Sequence, residues 1–270
     1  MPHVPVNGVN VYYKEAGQGS AILLIHGSGG NADLWGRTFE DLAQGHRVIA
    51  YDRRGFRHSH HAPVRDYHQH GEDAASILVK LNASPATVVG WSGGGIAALD
   101  LAINHPDLIR SLVLVEPPLH AKSHMTMQMA RAFIKAQMLR RLASPHAATR
   151  TFLRWASSYT TGGCAFDRMP PEMQQAMLDT AEATMGDLDA GTGEYISLKH
   201  VAAIPVPITC LRGELSPSVF ANATQRIIAG HPGARLTVIP GAGHALSFDR
   251  PAEFVQAVLE AAATSEGVDR

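Results

Sequence analysis

Cysteine is scarce in this sequence, which has two, Cys164 and Cys210, among 270 residues. Two cysteines are too few for a disulfide framework, and their separation does not match the spacing of a zinc site. We therefore expect both thiols to be reduced and to have a structural role.

An excess of charge and long apolar runs are also absent. The formal net charge is -1, and no basic stretch carries aromatic side chains at a regular spacing. Nucleic acid and anionic membranes are therefore poor candidates as partners. No run reaches the roughly 18 apolar residues of a membrane span, and the start, Met1-Pro2-His3-Val4-Pro5, does not resemble a signal peptide. We expect a cytoplasmic protein that binds no membrane.

Apolar residues are plentiful, at 45% of the chain. This fraction supports a sizeable core and argues against disorder. The length fits one large α/β domain, or a core domain that carries an insertion.

Short apolar runs alternate with helical patterns in both terminal parts of the chain. Residues 4–6 and 9–13 are β-prone runs joined by Asn7-Gly8, which predicts an antiparallel hairpin at the edge of a sheet. Further strands are predicted over 21–25, 48–51, 86–89, 112–115, 207–211 and 235–239, and helices over 66–81, 96–102, 217–229 and 251–263. This alternation predicts an α/β fold, with a mostly parallel sheet and helices on both faces.

The alternation stops between residues 119 and 201. Four helical patterns replace it, near 123–142, 145–158, 170–185 and 187–201. Most of the methionines also lie in this segment, and methionine adapts to irregular apolar shapes. Open α/β sheets bind ligands at the carboxyl ends of their strands. We therefore interpret residues 1–118 and 202–270 as the core, and 119–201 as an inserted helical cap.

The stretch Gly90-Trp91-Ser92-Gly93-Gly94 joins a predicted strand to a predicted helix. A sharp turn in this context strains the serine backbone and needs small neighbours, which Gly90 and Gly94 provide. The start of the helix aims backbone N–H groups at the place where negative charge would form. The pattern predicts Ser92 as a nucleophile.

A serine nucleophile needs a base and an oxyanion hole. The sequence has 15 histidines, and His244 stands out because it follows the last predicted strand, in Pro240-Gly241-Ala242-Gly243-His244. His26-Gly27-Ser28-Gly29-Gly30 leaves another strand at the same edge. We predict His244 as the base, and the N–H groups of Ser28 and Gly93 as the oxyanion hole.

In this order, the motifs HGSGG, YDRRG, GWSGGG and PGAGH resemble those of the α/β-hydrolase superfamily. The resemblance covers nearly the whole chain and implies that fold with a serine nucleophile. It says little about the substrate, because one scaffold hosts many chemistries. One departure is Arg57, which stands where relatives commonly have a second glycine.

The acid of the catalytic triad is the more informative departure. Most of the superfamily has an aspartate after the next-to-last strand, in a segment that resembles G-x-x-D, but here Gly213-Glu214-Leu215-Ser216 ends in serine. Glu116 directly follows the strand after the Ser92 helix, and it resembles the acid of the subset that includes some haloalkane dehalogenases and the zearalenone lactonases. We favour Glu116 as the acid, and Glu214 stays an alternative.

The walls of the substrate pocket are less clearly marked. Trp35, Trp91, Met127 and Trp155 are candidates, with core packing an equal explanation for each tryptophan. Five histidines crowd one region of the chain, but without the ordered spacing of metal ligands; they are His58, His60, His61, His68 and His70. We expect no metal and no organic cofactor.

These features predict an enzyme that hydrolyses a small apolar carboxylic ester or lactone through an acyl-enzyme. The same triad could instead serve C–C bond hydrolysis, cofactor-free perhydrolysis or lyase chemistry. A receptor-like protein with slow turnover is an alternative of another class, and a homodimer is an open alternative to a monomer.

Overall fold

The computed structural model describes residues 1–266, so the predicted end of the core at residue 270 lies outside the described residues. The strands are β1 (His3–Val6), β2 (Val9–Ala16), β3 (Ala21–Ile25), β4 (Arg47–Tyr51), β5 (Ala86–Trp91), β6 (Ile109–Val115), β7 (Ile208–Gly213) and β8 (Arg235–Ile239). The helices are α1 (Gly36–Leu42), α2 (Tyr67–Lys80), α3 (Gly93–Asn104), α4 (Met127–Leu142), α5 (Pro145–Ala156), α6 (Pro171–Leu178), α7 (Ala181–Ala190), α8 (Leu198–Ala202), α9 (Ser218–Gly230), α10 (Leu246–Asp249) and α11 (Pro251–Glu266).

The eight strands form one sheet in the order β1-β2-β4-β3-β5-β6-β7-β8. The pairs β1–β2 and β2–β4 are antiparallel, and the other neighbours are parallel. Ile25 of β3 lies opposite Gly90 of β5, and Trp91 lies opposite Val115 of β6. Because these parallel strands end in register, the turns that follow them meet at one edge of the sheet.

The predicted fold class is therefore confirmed. The edge hairpin is antiparallel as predicted, and Asn7 and Gly8 at its turn have φ of 43° and 85°. Arg57 also has a positive φ, of 39°, in the loop where relatives carry a glycine. A non-glycine residue adopts this region at a cost.

The sheet is covered by helices on both faces, as the packing of the β3 side chains shows. Leu23 and Ile25 pack in one apolar cluster with Leu99 of α3, whereas Leu24 packs in another with Phe254 of α11. All five residues of β3 are buried. A continuous apolar run is the sequence consequence of burial on both faces.

The helices of residues 119–201 differ in part from the prediction. The pattern over 170–185 forms parts of two helices, α6 and α7, and Thr180 between them donates its hydroxyl hydrogen bond to the carbonyl oxygen of Met177. The pattern over 187–201 is not one helix, because α7 ends at Ala190 and α8 begins at Leu198. Gly191, with φ of 91°, ends α7 in a conformation that other residues rarely adopt.

This helical segment packs onto the edge where the parallel strands end. Phe152 of α5 and Met177 of α6 belong to one apolar cluster with Phe220 of α9 and Ala245, which follows His244. The cluster joins the segment to the elements that surround Ser92. Within residues 1–266, no helix combines the length and hydropathy that a membrane span requires.

Candidate active site

Ser92 occupies the turn between β5 and α3. Its φ of 53° and ψ of -121° lie outside the regions that most residues adopt, which is the strain expected of a nucleophile turn. A Cβ added to Gly90 would lie 2.6 Å from the Cβ of Ala98, so a larger side chain would push α3 away from β5. The backbone thus holds Ser92 in a sharp turn at the end of β5.

His244 and Glu116 form a buried pair. The Nδ1–H of His244 donates to Oε2 of Glu116 over 2.6 Å, and the backbone N–H of Gly213 donates to Oε1 over 2.9 Å. Glu116 is fully buried at the end of β6 and has a φ of 48°. Both carboxylate oxygens accept hydrogen bonds, and the bond from Nδ1 fixes the tautomer of the imidazole.

Aromatic side chains fix the plane of the His244 ring. Phe220 stacks on it, with 3.8 Å between ring centroids and 9° between planes. The indole N–H of Trp91 donates to the carbonyl oxygen of His244 over 2.9 Å. His244 and Ser92 line the same cavity, so the imidazole and the hydroxyl face a common space.

Glu214, the alternative acid, lies elsewhere. It is exposed, and its Oε2 accepts a hydrogen bond from the backbone N–H of Gly241 over 2.9 Å. Ser216, in the position of the family's usual aspartate, is buried. The geometry therefore brings Glu116, and not Glu214, to His244.

Ser28 and Gly93 lie together beside Ser92. Gly93 is the first residue of α3, so its N–H has no acceptor within the helix. A Cβ added to Gly93 would lie 2.9 Å from the Oγ of Ser28, and one added to Gly27 would lie 2.9 Å from the Cβ of Ser92. The turn after β3 therefore approaches the nucleophile closely, as an oxyanion hole requires.

A buried ion pair lies behind this turn. Asp187 of α7 accepts hydrogen bonds from Arg53 at 2.6 and 3.2 Å and from the Ser28 hydroxyl at 2.6 Å. Burial, the largest single influence, would raise the pKa of Asp187, but the Arg53 charge and the hydrogen bonds from His70 and Arg53 together outweigh it and leave the pKa well below its usual range. The carboxylate is therefore ionised at neutral pH.

Two histidines near Arg53 are held neutral. Burial first, and the Arg53 charge second, lower the pKa of both His26 and His70. His26 accepts a hydrogen bond at Nε2 from the N–H of Arg53 over 2.9 Å, and its Nδ1–H donates to the carbonyl of Gly27 over 2.8 Å. A second proton on this ring would break the first of these bonds.

Two cavities, each of roughly 400 Å³, meet at Ser92. Both are mainly apolar, and Ser28 and Phe152 line both of them. The first also contains Gly27, Trp91, Leu153, Ala156, Ser157, Phe166, Met169, Met177, His244 and Ala245. The second also contains Tyr67, Gly93, Pro118, Ala121, Met129, Phe133, Trp155, Asp187, Leu188, Gly191, Thr192, Val219 and Phe220.

Two of the four predicted pocket residues line a cavity, and the other two do not. Trp91 and Trp155 line one cavity each, whereas Trp35 lies outside both. Trp35 is 3% exposed and packs in the core, with ring centroids 6.1 Å from Trp91. Met127 is 68% exposed and also lies outside both cavities, because it begins α4 on the outer surface.

Sequence reasoning missed several lining residues of α5. Ala148, Phe152 and Ala156 recur at a spacing of four residues on the buried face of this helix, and the last two line the first cavity. This periodicity could have identified the inward face of α5. Asp187 left no comparable signal, since it is a single acidic residue within a helix.

The described residues contain one group whose side chains could together hold a metal ion: His68, Glu72 and Asp100. The Asp100 carboxylate already accepts hydrogen bonds from His68 at 3.0 Å and from Tyr195 at 2.9 Å. These protein partners give the carboxylate a structural role. Among the crowded histidines, those outside this group are His58, His60, His61 and His70.

Comparisons with known proteins agree with this fold. The hydrolase YraK of Bacillus subtilis (strain 168), which is uncharacterised, is 39% identical over 115 residues, or 42% of each chain. In several such pairs, the match spans less than half of the relative's length. The putative carbamate hydrolase RutD of Variovorax paradoxus (strain S110) is 31% identical over 90% of this chain and 91% of its own.

A solved enol-lactonase from Burkholderia xenovorans LB400 has the same fold. It superposes with a TM-score of 0.80 at 19% identity, over 97% of this chain and all of the other. The family profile described as alpha/beta hydrolase fold matches residues 20–251. This match takes in β3 to α10, including every element that carries Ser92, Glu116 and His244. The protein therefore belongs to the alpha/beta hydrolase fold family.

Proposed function

We propose that this protein is a serine hydrolase that cleaves small apolar carboxylic esters or lactones through an acyl-enzyme. The observation that carries the proposal is the buried hydrogen bond of 2.6 Å between Glu116 and His244, because His244 lines the same cavity as Ser92. An acid that orients a base, and a strained serine beside that base, are the parts of a catalytic triad. The family membership supports the same assignment.

Each residue has a distinct role in the proposed reaction. Ser92 Oγ attacks the carbonyl carbon of the substrate while His244 Nε2 takes its proton, and Glu116 stabilises the imidazolium. The N–H groups of Ser28 and Gly93 stabilise the negative oxygen of the tetrahedral intermediate. His244 then gives its proton to the leaving alcohol, and a water molecule, activated by the same base, hydrolyses the acyl-enzyme.

The walls of the two cavities support apolar substrates. Phe152 lines both cavities, Met177 lines the first, and Trp155 lines the second. These side chains come from α5 and α6, so we propose that residues 119–201 form a cap that sets the choice of substrate. Apolar walls gain free energy in proportion to the substrate surface they remove from water.

A panel of esters, lactones and carbamates measured on the wild type and Ser92→Ala tests this proposal. We expect hydrolysis by the wild type and a loss of roughly 10⁴-fold or more in kcat for Ser92→Ala, with the fold retained. A fluorophosphonate should label the wild type and not the variant. Ser123→Ala, which changes an exposed serine, serves as the control and should react like the wild type.

The outcomes separate the alternatives. Near-normal turnover in Ser92→Ala would contradict the mechanism. Labelling of Ser92 without turnover of the panel would favour another reaction of the same triad, such as C–C bond hydrolysis. Absence of both labelling and turnover would favour a receptor-like protein.

A further inference from the structure

Asp187, a buried and charged residue of the helical segment, contacts the turn after β3 that contains Ser28. We call residues 26–28 the oxyanion turn. Its side chain is 1% exposed, and its carboxylate lies against Ser28, which follows β3. The two residues are 159 positions apart in the chain. Asp187 also lines the second cavity together with Ser92 and Gly93, so it lies close to the proposed reaction.

The same carboxylate holds the turn by two routes. Directly, Oδ2 accepts the hydroxyl hydrogen bond of Ser28 over 2.6 Å. Indirectly, it anchors Arg53, whose Nε donates to the carbonyl oxygen of His26 over 3.0 Å, and whose N–H donates to the ring of His26 over 2.9 Å. His26 and Ser28 flank Gly27, so both ends of the short segment beside the nucleophile are tied to Asp187.

The positive charge of Arg53 allows the carboxylate of Asp187 to lie in the wall of the second cavity. A lone negative charge in the wall of the cavity would oppose the negative charge that develops on the substrate oxygen. Arg53, which is fully buried, pairs with Asp187 at 2.6 Å and compensates that charge. His70 faces the pair as well, with Nε2 at 3.6 Å from Oδ1, and burial lowers its pKa.

We propose that Asp187 is a positioning residue, which fixes the Ser28 turn through the serine hydroxyl so that the backbone N–H of Ser28 is held ready for the oxyanion. The oxyanion hole is then complete only when α7 is docked on the sheet. The inference rests on the proposed function, because it assigns a role in the same reaction. Since the oxyanion forms only in the transition state, loss of this contact should lower kcat and leave KM nearly unchanged.

Three variants test the proposal. Ser28→Ala removes the hydroxyl and keeps the backbone N–H, and Asp187→Asn keeps the shape of the side chain and removes its charge. Removal of a whole oxyanion donor costs about 10²–10³ in kcat. Loss of positioning should cost less, about 10–100-fold for each variant, with KM within about twofold of the wild type. The double variant should lose no more than Asp187→Asn alone, since Asp187→Asn disturbs both routes and already weakens the direct contact that Ser28→Ala removes.

Asp189→Asn is the matched control. Asp189 lies on the same helix and pairs with Arg140 on the surface, at 2.9 Å. Its loss should leave kcat unchanged. If Asp187→Asn does not fold, Ser28→Ala still decides the question, because it leaves the Arg53–Asp187 pair intact.

The rate of fluorophosphonate labelling gives a second readout, since phosphonylation also places negative charge on an oxygen in the hole. It should fall in parallel with kcat. Wild-type kcat and labelling in Ser28→Ala would overturn the proposal, as would losses that multiply in the double variant. Failure of the proposed function gives a different result, namely an active Ser92→Ala variant or a wild type that neither turns over the panel nor labels.

Discussion

The sheet and the helical segment of residues 119–201 contribute to the candidate site in different ways. The sheet places Ser92, Glu116 and His244 through strand ends whose backbone positions are set by register. The helical segment contributes individual side chains, such as Asp187 and Phe152, from helices that pack on that edge. The sheet thus determines which chemistry is available, and the segment determines how its parts are held and enclosed.

A second polar contact also links a side chain of the helical segment to a loop at the edge of the sheet. Tyr159, just beyond α5, donates its hydroxyl hydrogen bond to Asp249 over 2.5 Å, and Asp249 accepts another from the N–H of Gly243 over 2.8 Å. Burial and the bond to Asp249 raise the pKa of Tyr159 to about 12, so its hydroxyl remains a donor at neutral pH. The segment therefore contacts the His244 loop as well as the turn that contains Ser28.

The largest effect is expected at the end of a sheet strand, at the proposed acid of the triad. Replacement of the acid by its amide in a serine protease lowers kcat by roughly 10⁴. Glu116→Gln should lower kcat by about 10²–10⁴, because the amide no longer stabilises the imidazolium, whereas Glu214→Gln should cost less than about tenfold. The two kcat values, measured on one ester, decide between the acids. A severe loss in Glu214→Gln with little loss in Glu116→Gln would transfer the role to Glu214.

A smaller effect is expected in the helical segment, and it should appear as selectivity. Met177 is 4% exposed and lines the first cavity, whereas Met127 is exposed on α4. Met177→Ala should change the ratio of kcat/KM between short and long chains by about tenfold, since one methylene in an apolar pocket is worth 10–200-fold. Met127→Ala is the control and should leave the ratio unchanged.

The ester series for this comparison should vary the acyl and the alcohol chains separately. The result would then also assign the first cavity to one side of the substrate. Equal selectivity in both variants, with only the melting temperature altered, would mean that the segment is structural and not a selectivity-determining cap.

The last effect concerns the pH dependence of the free energy of unfolding, in which the buried histidines beside the sheet and the buried Asp187 of the helical segment should differ. His26 directly follows β3, and its pKa is well below the ordinary value of 6.5 in the folded protein. Below pH 6.5 the unfolded chain binds a proton at His26 and the folded protein does not. The contribution of His26 to the free energy of unfolding is therefore fully present above pH 6.5 and decreases as the pH falls below that value. The expected slope is about 1.4 kcal/mol per pH unit for each such histidine.

Thermal unfolding between pH 7 and 5 checks this expectation. His70 contributes with the same sign, whereas His68, whose pKa is raised by its hydrogen bond to Asp100, contributes with the opposite sign, so His26→Gln should reduce the slope. An unchanged slope would contradict it. Asp187 behaves differently, because its folded pKa lies below the ordinary value of 3.8. The stability it contributes is present above that pH and is lost only as the pH falls through the folded pKa.

Several features of the site were predictable because each depends on a short stretch of chain. Ser92, Ser28 and His244 follow strands, and the apolar runs before them fixed both the strands and the edge at which they end. Glu116 was predictable for the same reason, since it comes directly after β6. The structure brings Glu116 and His244 together in a buried hydrogen bond, and the role of Glu116 as the acid stays a prediction.

Met127 shows where such reasoning ends. The exposed face of α4 carries apolar side chains, Met127, Ile134, Met138 and Leu142 among them. A helix with apolar residues on its outer as well as its inner face gives no periodic signal for the inward side. The number of methionines in the segment was therefore no guide to which of them line a cavity.

The sequence by itself determined the α/β architecture and the strand-end turn of Ser92, because burial on both faces and the steric demands of a sharp turn leave local patterns. The tertiary structure alone decided that Arg53 pairs with Asp187, 134 residues away, and that the pair holds Ser28. With 23 basic and 24 acidic residues in the chain, no spacing marks one pair among the many combinations. A buried ion pair forms only where packing brings both charges together and removes water from them, and that is a property of the docked helix.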